Sequence, residues 1–242
     1  MKKVIFLVGI ILLFTSSSQS QNNTRHALKH VDRKKPSLSF GLQLADPMQN
    51  LGAAYRSAYV GMEGSILFNI RQTPFEIGTS FAWSYLGAQQ RNIALLVGQT
   101  NGQNIHTNGS MKYSHDNYRG FIIGRLKPFN GWVQPYADIL VGAQSFTSTA
   151  VTEREYSTYT EIVSKEKLER NISPSLGYGF GLKVRLNRFV LIETKYQYLH
   201  GRFATFTNPN STFISSEGEL HYQTVTGNTT MQVFHLGMAF EF

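Results

Sequence analysis

MQVFHLGMAFEF (231–242) places Phe234, Leu236, Met238, Phe240 and Phe242 at every second position, with Val233, His235, Gly237, Ala239 and Glu241 between them. A period of two sends the large apolar set to one face of a strand and the small or polar set to the other. Terminal residues of water-soluble domains usually fray and carry polar side chains. An apolar strand face at this position asks for a non-aqueous neighbour.

The opposite end bears on that neighbour. Lys2 and Lys3 precede an apolar run from Val4 to Phe14, followed by TSSSQSQ. A charged start, a short apolar stretch and small residues have the form of a secretory signal, with cleavage expected between Ser20 and Gln21. Residues 1–20 are therefore set aside from the fold. The sequence has no cysteine, which excludes both a lipid-anchored amino terminus and a disulfide framework.

Removing Lys2 and Lys3 leaves 21 basic residues against 15 acidic ones, a net charge near +6. For an exported chain this excess implies solubility and affinity for anionic surfaces, not nucleic acid. No later stretch approaches the ~20 apolar residues of a membrane helix, so any membrane passage has to be made by a closed barrel.

Read with period two, residues 37–242 yield eight segments: 37–45, 59–70, 75–85, 117–127, 133–143, 175–186, 189–198 and 231–242. SLGYGFGLKVRL (175–186) is the clearest. Leu176, Tyr178, Phe180, Leu182, Val184 and Leu186 alternate there with Gly177, Gly179, Gly181, Lys183 and Arg185. Alternation alone fits a soluble sandwich as well as a membrane barrel. Three further features favour the barrel. The segments have the roughly 9–12 residues of a tilted spanning strand. Short connections (71–74, 128–132, 187–188) alternate with long ones (88–116, 144–174, 199–230). Aromatics such as Phe75, Trp83, Tyr85, Tyr118, Trp132, Tyr196, Tyr198 and Phe242 gather at segment ends, where an interfacial girdle lies. The expected fold is all-β: an eight-stranded antiparallel up-and-down transmembrane barrel over 37–242, closed by the terminal strand against 37–45. Residues 21–36 are expected to form a basic periplasmic segment.

The terminal residues Phe234, Leu236, Met238, Phe240 and Phe242 resemble the signal by which the barrel-assembly machinery recognises bacterial outer-membrane proteins. Eight strands, GYGFG (177–181) and ETKYQY (193–198) together resemble the small OmpA/OmpX-type outer-membrane β-barrels common in Bacteroidota, a group that includes PorT-like accessory proteins of type IX secretion. The resemblance implies residence in the outer membrane among lipid and lipopolysaccharide. It also implies a structural or binding role, with an envelope protein as a possible partner.

The same parity turns Glu63, Glu76, Asp138, Glu193 and Glu241 inward, with Arg119, Arg125, Lys183, Arg185 and Lys195. Equal numbers of each sign fit a narrow interior in which side chains fill the lumen and charges neutralise one another. The lumenal glycines Gly177, Gly179 and Gly181 are expected to make room for large neighbours such as Tyr136. A narrow porin-like pore is the alternative.

Catalytic signals are weak. YLHGRFATFTNPNS (198–211) resembles the lipid A deacylase barrels only in setting a His at a strand end. His200 is followed by Gly201 and Arg202, and the next serine is Ser211. A nucleophile needs a base within hydrogen-bond reach, so an enzyme is not expected unless Ser84 or Ser211 stands beside His200. His26 and His30 are four apart in RHALKHVDRKK (25–35), with Asp32 the only acid, which makes a poor metal site. No cofactor or metal is expected. Among the long connections, 88–116 is expected to be mobile and 144–174 to continue as a hairpin. Loop 199–230 offers Phe203, Phe206, Phe213 and Tyr222 for packing or contact.

Overall fold

Buried and exposed positions alternate without a break along β1 (Ser37–Pro47), and the alternation recurs along β2 (Tyr59–Asn69), β7 (Val190–Gly201) and β12 (Met231–Glu241). Between them come β3 (Phe75–Thr100), β4 (Gln103–Leu126), β5 (Val133–Glu155) and β6 (Thr160–Arg185). In the computed structural model, which describes residues 36–55, 58–70, 73–100, 103–155, 160–208, 213–214 and 220–242, these strands form a closed antiparallel barrel. Its order is β1-β12-β7-β6-β5-β4-β3-β2. Closure is made by β12 on β1, in register from Ser37↔Glu241 to Pro47↔Met231. The expected signal segment and basic segment, with His26 and His30, lie outside the described residues apart from Pro36.

The outward face is a continuous apolar belt. Phe40, Leu42, Val60, Phe81, Ile122, Ile139, Leu176, Phe180 and Leu236 are each more than half exposed. A monomer in water seldom shows apolar patches beyond a few hundred square ångströms, whereas a belt encircling a closed barrel matches bilayer hydrocarbon. On β4 the belt runs from Tyr118 to Leu126, about the length of a spanning strand. Among the described residues, no helix is long and apolar enough to cross a membrane.

One end of the barrel carries short turns. Between β6 and β7, Asn187 Oδ1 accepts the backbone N–H groups of Phe189 and Val190, both at 2.9 Å, so the side chain stabilises the turn locally. The other end carries long hairpins, and here one expectation is corrected. Residues 88–116 are not a mobile loop, because β3 and β4 stay paired from Tyr85↔Asp116 to Thr100↔Gln103, through two register shifts. Asn101-Gly102 between them is the dipeptide most favoured in two-residue hairpin connections. A small apolar core also stabilises the extension, with Met111, Tyr113 and Ala150 buried together against Leu168. β5 and β6 likewise continue, pairing up to Glu155↔Thr160.

The β1–β2 connection contains a short helix, α1 (Gln49–Ala54), that periodicity did not foretell. The β7–β12 connection folds into β8 (Phe203–Thr207) paired with β11 (Thr224–Asn228), and a two-residue ladder of β9 (Phe213–Ile214) with β10 (Leu220–His221).

Candidate functional site

Every ionisable residue that parity turned inward lies inside the barrel, nine of the ten buried and Arg185 partly so. At the turn end the contacts are dense. Arg125 on β4 meets Asp138 on β5 with Nε to Oδ1 at 2.7 Å and Nη2 to Oδ2 at 2.9 Å, and donates from Nη1 to Glu193 Oε1 at 3.1 Å. The Tyr136 hydroxyl donates to the same Glu193 oxygen at 2.5 Å, and the Arg125 guanidinium stands 3.5 Å over the Tyr136 ring centroid. That ring occupies the place a side chain at Gly181 would take, directly across the β5–β6 ladder. A glycine is therefore needed there so that the aromatic can lie flat against the wall and reach the acid.

Lys127 extends this cluster, with Nζ 2.5 Å from Glu76 Oε1 and 3.5 Å from Glu241 Oε1. It is absent from the sequence-derived set, although it continues the inward odd-numbered row of β4 one residue past the strand. Arg185 Nη2 reaches Glu241 Oε2 at 2.5 Å, and Lys183 Nζ donates to Ser37 Oγ at 2.8 Å. Deeper in the barrel, Lys195 and Glu63 pair at 2.7 Å. Arg119 is set apart from these pairs. It donates to Ser84 Oγ at 3.2 Å and approaches Met231 Sδ at 3.4 Å.

The hairpin end is closed by apolar packing. Leu51 and Ala54 of α1, Tyr55, Leu86, Phe146, Leu199, Phe206 and Met231 are buried in one cluster that extends down the interior to Ile123 and Leu140. Phe206 packs on Tyr55 at 6.0 Å and on Phe146 at 6.2 Å between ring centroids. Of the aromatics offered by loop 199–230, only Phe206 is shown to join this core; Phe203 is 70% exposed, and Tyr222 donates to the Leu168 carbonyl at 3.2 Å. The side chain of Phe213 lies outside the described ones. Below Tyr55, buried His115 shares a 2.8 Å hydrogen bond with Ser148 Oγ. Burial lowers the His115 pKa to about 4, so the ring is neutral.

Among the described residues no serine pairs with His200, whose Nδ1 lies 3.4 Å from Thr230 Oγ1. Ser84 is inside the lumen, bonded to Gln43 and Arg119, and Ser211 lies outside the described residues. Among the described residues there is no group of three metal-ligating side chains.

Above the belt, β3 to β6 continue as a four-stranded antiparallel sheet, and its two edges differ. β2 pairs with β3 only as far as Gly61↔Ser84, so Ala88–Thr100 has no strand beside it on that side among the described residues. β7 pairs with β6 only from Gly201↔Ser175, but beyond that point the β6 edge is partly covered. Arg202 N–H donates to the Pro174 carbonyl at 3.0 Å, and Tyr222 to Leu168. The sequences differ in the same sense. AQQRNIALLVGQT (88–100) holds one charge and no proline, whereas TEIVSKEKLER (160–170) holds six charges.

No protein-family model matches the chain, and no curated protein matches it. Among solved structures, it is similar to the outer membrane protein OprG from Pseudomonas aeruginosa, with a TM-score of 0.48, 13% identity, and coverage of 86% of this chain and 96% of that one. Neisserial surface protein A gives a TM-score of 0.43 at 10% identity, over 86% of this chain and 97% of the other. Ail, the attachment invasion locus protein of Yersinia pestis, solved with the heparin analogue sucrose octasulfate, gives 0.42 at 16% identity, over 87% and 99%. The proteins so matched are small eight-stranded outer-membrane barrels.

Proposed function

We propose that this chain is a non-enzymatic integral outer-membrane barrel that works by contact, adding an extended strand of a partner protein to the free edge of β3 outside the membrane. The observation that carries this reading is the contrast between the two edges. Sheet edges in folded proteins are normally blunted by charge, proline or cover, as the β6 edge is. Over Ala88–Thr100 the β3 edge has almost none of these, and an open edge offers a row of backbone groups to an incoming strand.

In this reading the apolar belt sits in the outer-membrane bilayer, with lipopolysaccharide around its outer half. The signal segment delivers the chain to the envelope. Phe234, Leu236, Met238, Phe240 and Phe242, aligned on the outward parity of β12, serve the barrel-assembly machinery during insertion. The finer assignment, an accessory subunit of a larger assembly such as type IX secretion, rests on barrel size and on the open edge. A pore is disfavoured by the buried ion pairs and the apolar closure of the hairpin end.

Gentle detergent extraction of the tagged protein from its native membrane tests the reading. A partner recovered in fixed ratio is expected, and shortening the β3–β4 hairpin should release it. Normal secretion in a deletion strain would remove the type IX assignment while leaving the contact role standing.

A further inference from the structure

The free edge of β3 narrows the choice of strand that can join it. Past Tyr85 at the end of the belt, β3 runs on to Thr100, about 50 Å of strand at ~3.3 Å per residue. Its ladder with β4 is unbroken from Gly87 to Leu96.

The stretch is self-complementary. A strand paired antiparallel with a second copy of itself is related to it by a two-fold axis, so opposed residues are equidistant from that axis. AQQRNIALLVGQT (88–100) has an apolar centre, Ile93 to Val97, between polar flanks. An axis within Ile93–Leu95 brings the two apolar centres together inside the unbroken ladder. It also sets Arg91, the one charge, opposite Leu95, Val97 or Gln99, all neutral. Like charges directly opposed would destabilise the pair, and they arise only with the axis on Arg91 itself.

Membrane geometry then fixes where the second copy stands. Copies in one membrane share its normal. A rotation about that normal leaves a strand tilted by about 35–45° crossing its image at no more than about 90°, far short of antiparallel. A two-fold axis lying between two facing membranes reverses normal and strand together, and permits the pairing at any tilt.

We infer that the β3 edges of copies on facing outer membranes pair antiparallel about a two-fold axis within Ile93–Leu95, joining cell to cell. The inference rests on the reading of the β3 edge as a contact site and makes the partner a second copy of this chain.

Two cell populations carrying differently tagged full-length copies test this, because the chain has no native cysteine. Ile93→Cys, Ala94→Cys and Leu95→Cys are each bridged with a short bismaleimide after the populations are mixed. A dimer bearing both tags is expected from at least one of them, and none from Glu161→Cys on the β6 edge. No such dimer, an equal yield from Glu161→Cys, or a dimer formed only when both tags share one cell would overturn the inference. A photo-adduct from Asn92 with a different envelope protein would then leave the edge reading standing, and no adduct would end both. Should the cysteine variants fail to reach the membrane, lipid vesicles bearing the refolded wild type decide. They should cluster, and Leu95→Lys should abolish the clustering, since a lysine blunts a sheet edge. Wild-type vesicles that stay dispersed, or clustering unmoved by the substitution, would overturn the pairing.

Discussion

Arg125 grips Asp138 through two nearly parallel hydrogen bonds at 2.7 and 2.9 Å, with both side chains sealed from solvent inside the barrel. The pair is directly cross-strand in the β4–β5 register, so each residue fixes the other without bending the backbone. Its third partner, Glu193, comes from β7 and ties distant parts of the wall together.

Removing one member leaves the other charged and buried. Asp138→Ala is expected to destabilise the barrel by about 3–5 kcal/mol, the usual cost of breaking a buried pair. Replacing both partners with apolar residues of similar size should cost much less. Urea unfolding in lipid vesicles, analysed as a double-mutant cycle, measures the coupling.

The belt makes a second prediction. Ile122 lies midway between Tyr118 and Leu126 on the outward face of β4 and is 58% exposed. On a water-facing surface Ile122→Arg would be nearly neutral. In a bilayer it is expected to cost about 2–4 kcal/mol, the midplane value for a cationic side chain on a barrel's lipid face. Refolding the variant into vesicles of increasing thickness should deepen the defect.

Conductance follows from the closed ends. Reconstituted wild type is expected to show no stepwise current in planar bilayers. Tyr55→Ala combined with Phe206→Ala removes two of the rings that seal the hairpin end, and flickering current is the expected gain. Steady channels in the wild type would instead support a pore.

Acid should loosen the hairpin end. His115 lies three residues beyond Tyr118, outside the belt, and its folded pKa of about 4 is below the unfolded value of 6.5. The unfolded chain therefore binds the extra proton first. This contribution is intact above pH 6.5 and is lost as pH falls towards 4. His115→Gln should flatten that part of the profile, as followed by Tyr55 fluorescence or by proteolysis of the hairpins.

Much of this molecule is legible from alternation. Leu176 to Leu186 and Phe234 to Phe242 carry a period of two that specifies strands, an outward apolar face and an inward polar one. Parity also selects Arg125, Asp138 and Glu193, because each strand wall is a fixed two-residue repeat. What parity does not carry is contact across the lumen. Nothing local says that Tyr136 crosses Gly181 to reach Glu193. Lys127 is missed although it ends the expected segment 117–127 and continues the inward odd-numbered row of Arg119 and Arg125. The length of the β3–β4 hairpin is obscured because its polar Gln and Asn residues read as loop, although Met111 and Tyr113 supply a small core. The helix α1 is six residues long, too short for helical periodicity to register.

The most direct test of contact through the β3 edge is site-specific photo-crosslinking in the native envelope, with the probe at exposed Asn92 on β3 and a control at exposed Glu161 on β6. A discrete adduct with one envelope protein from Asn92, and none from Glu161, is the predicted result. No adduct from Asn92, or the same diffuse adducts from both positions, would contradict it.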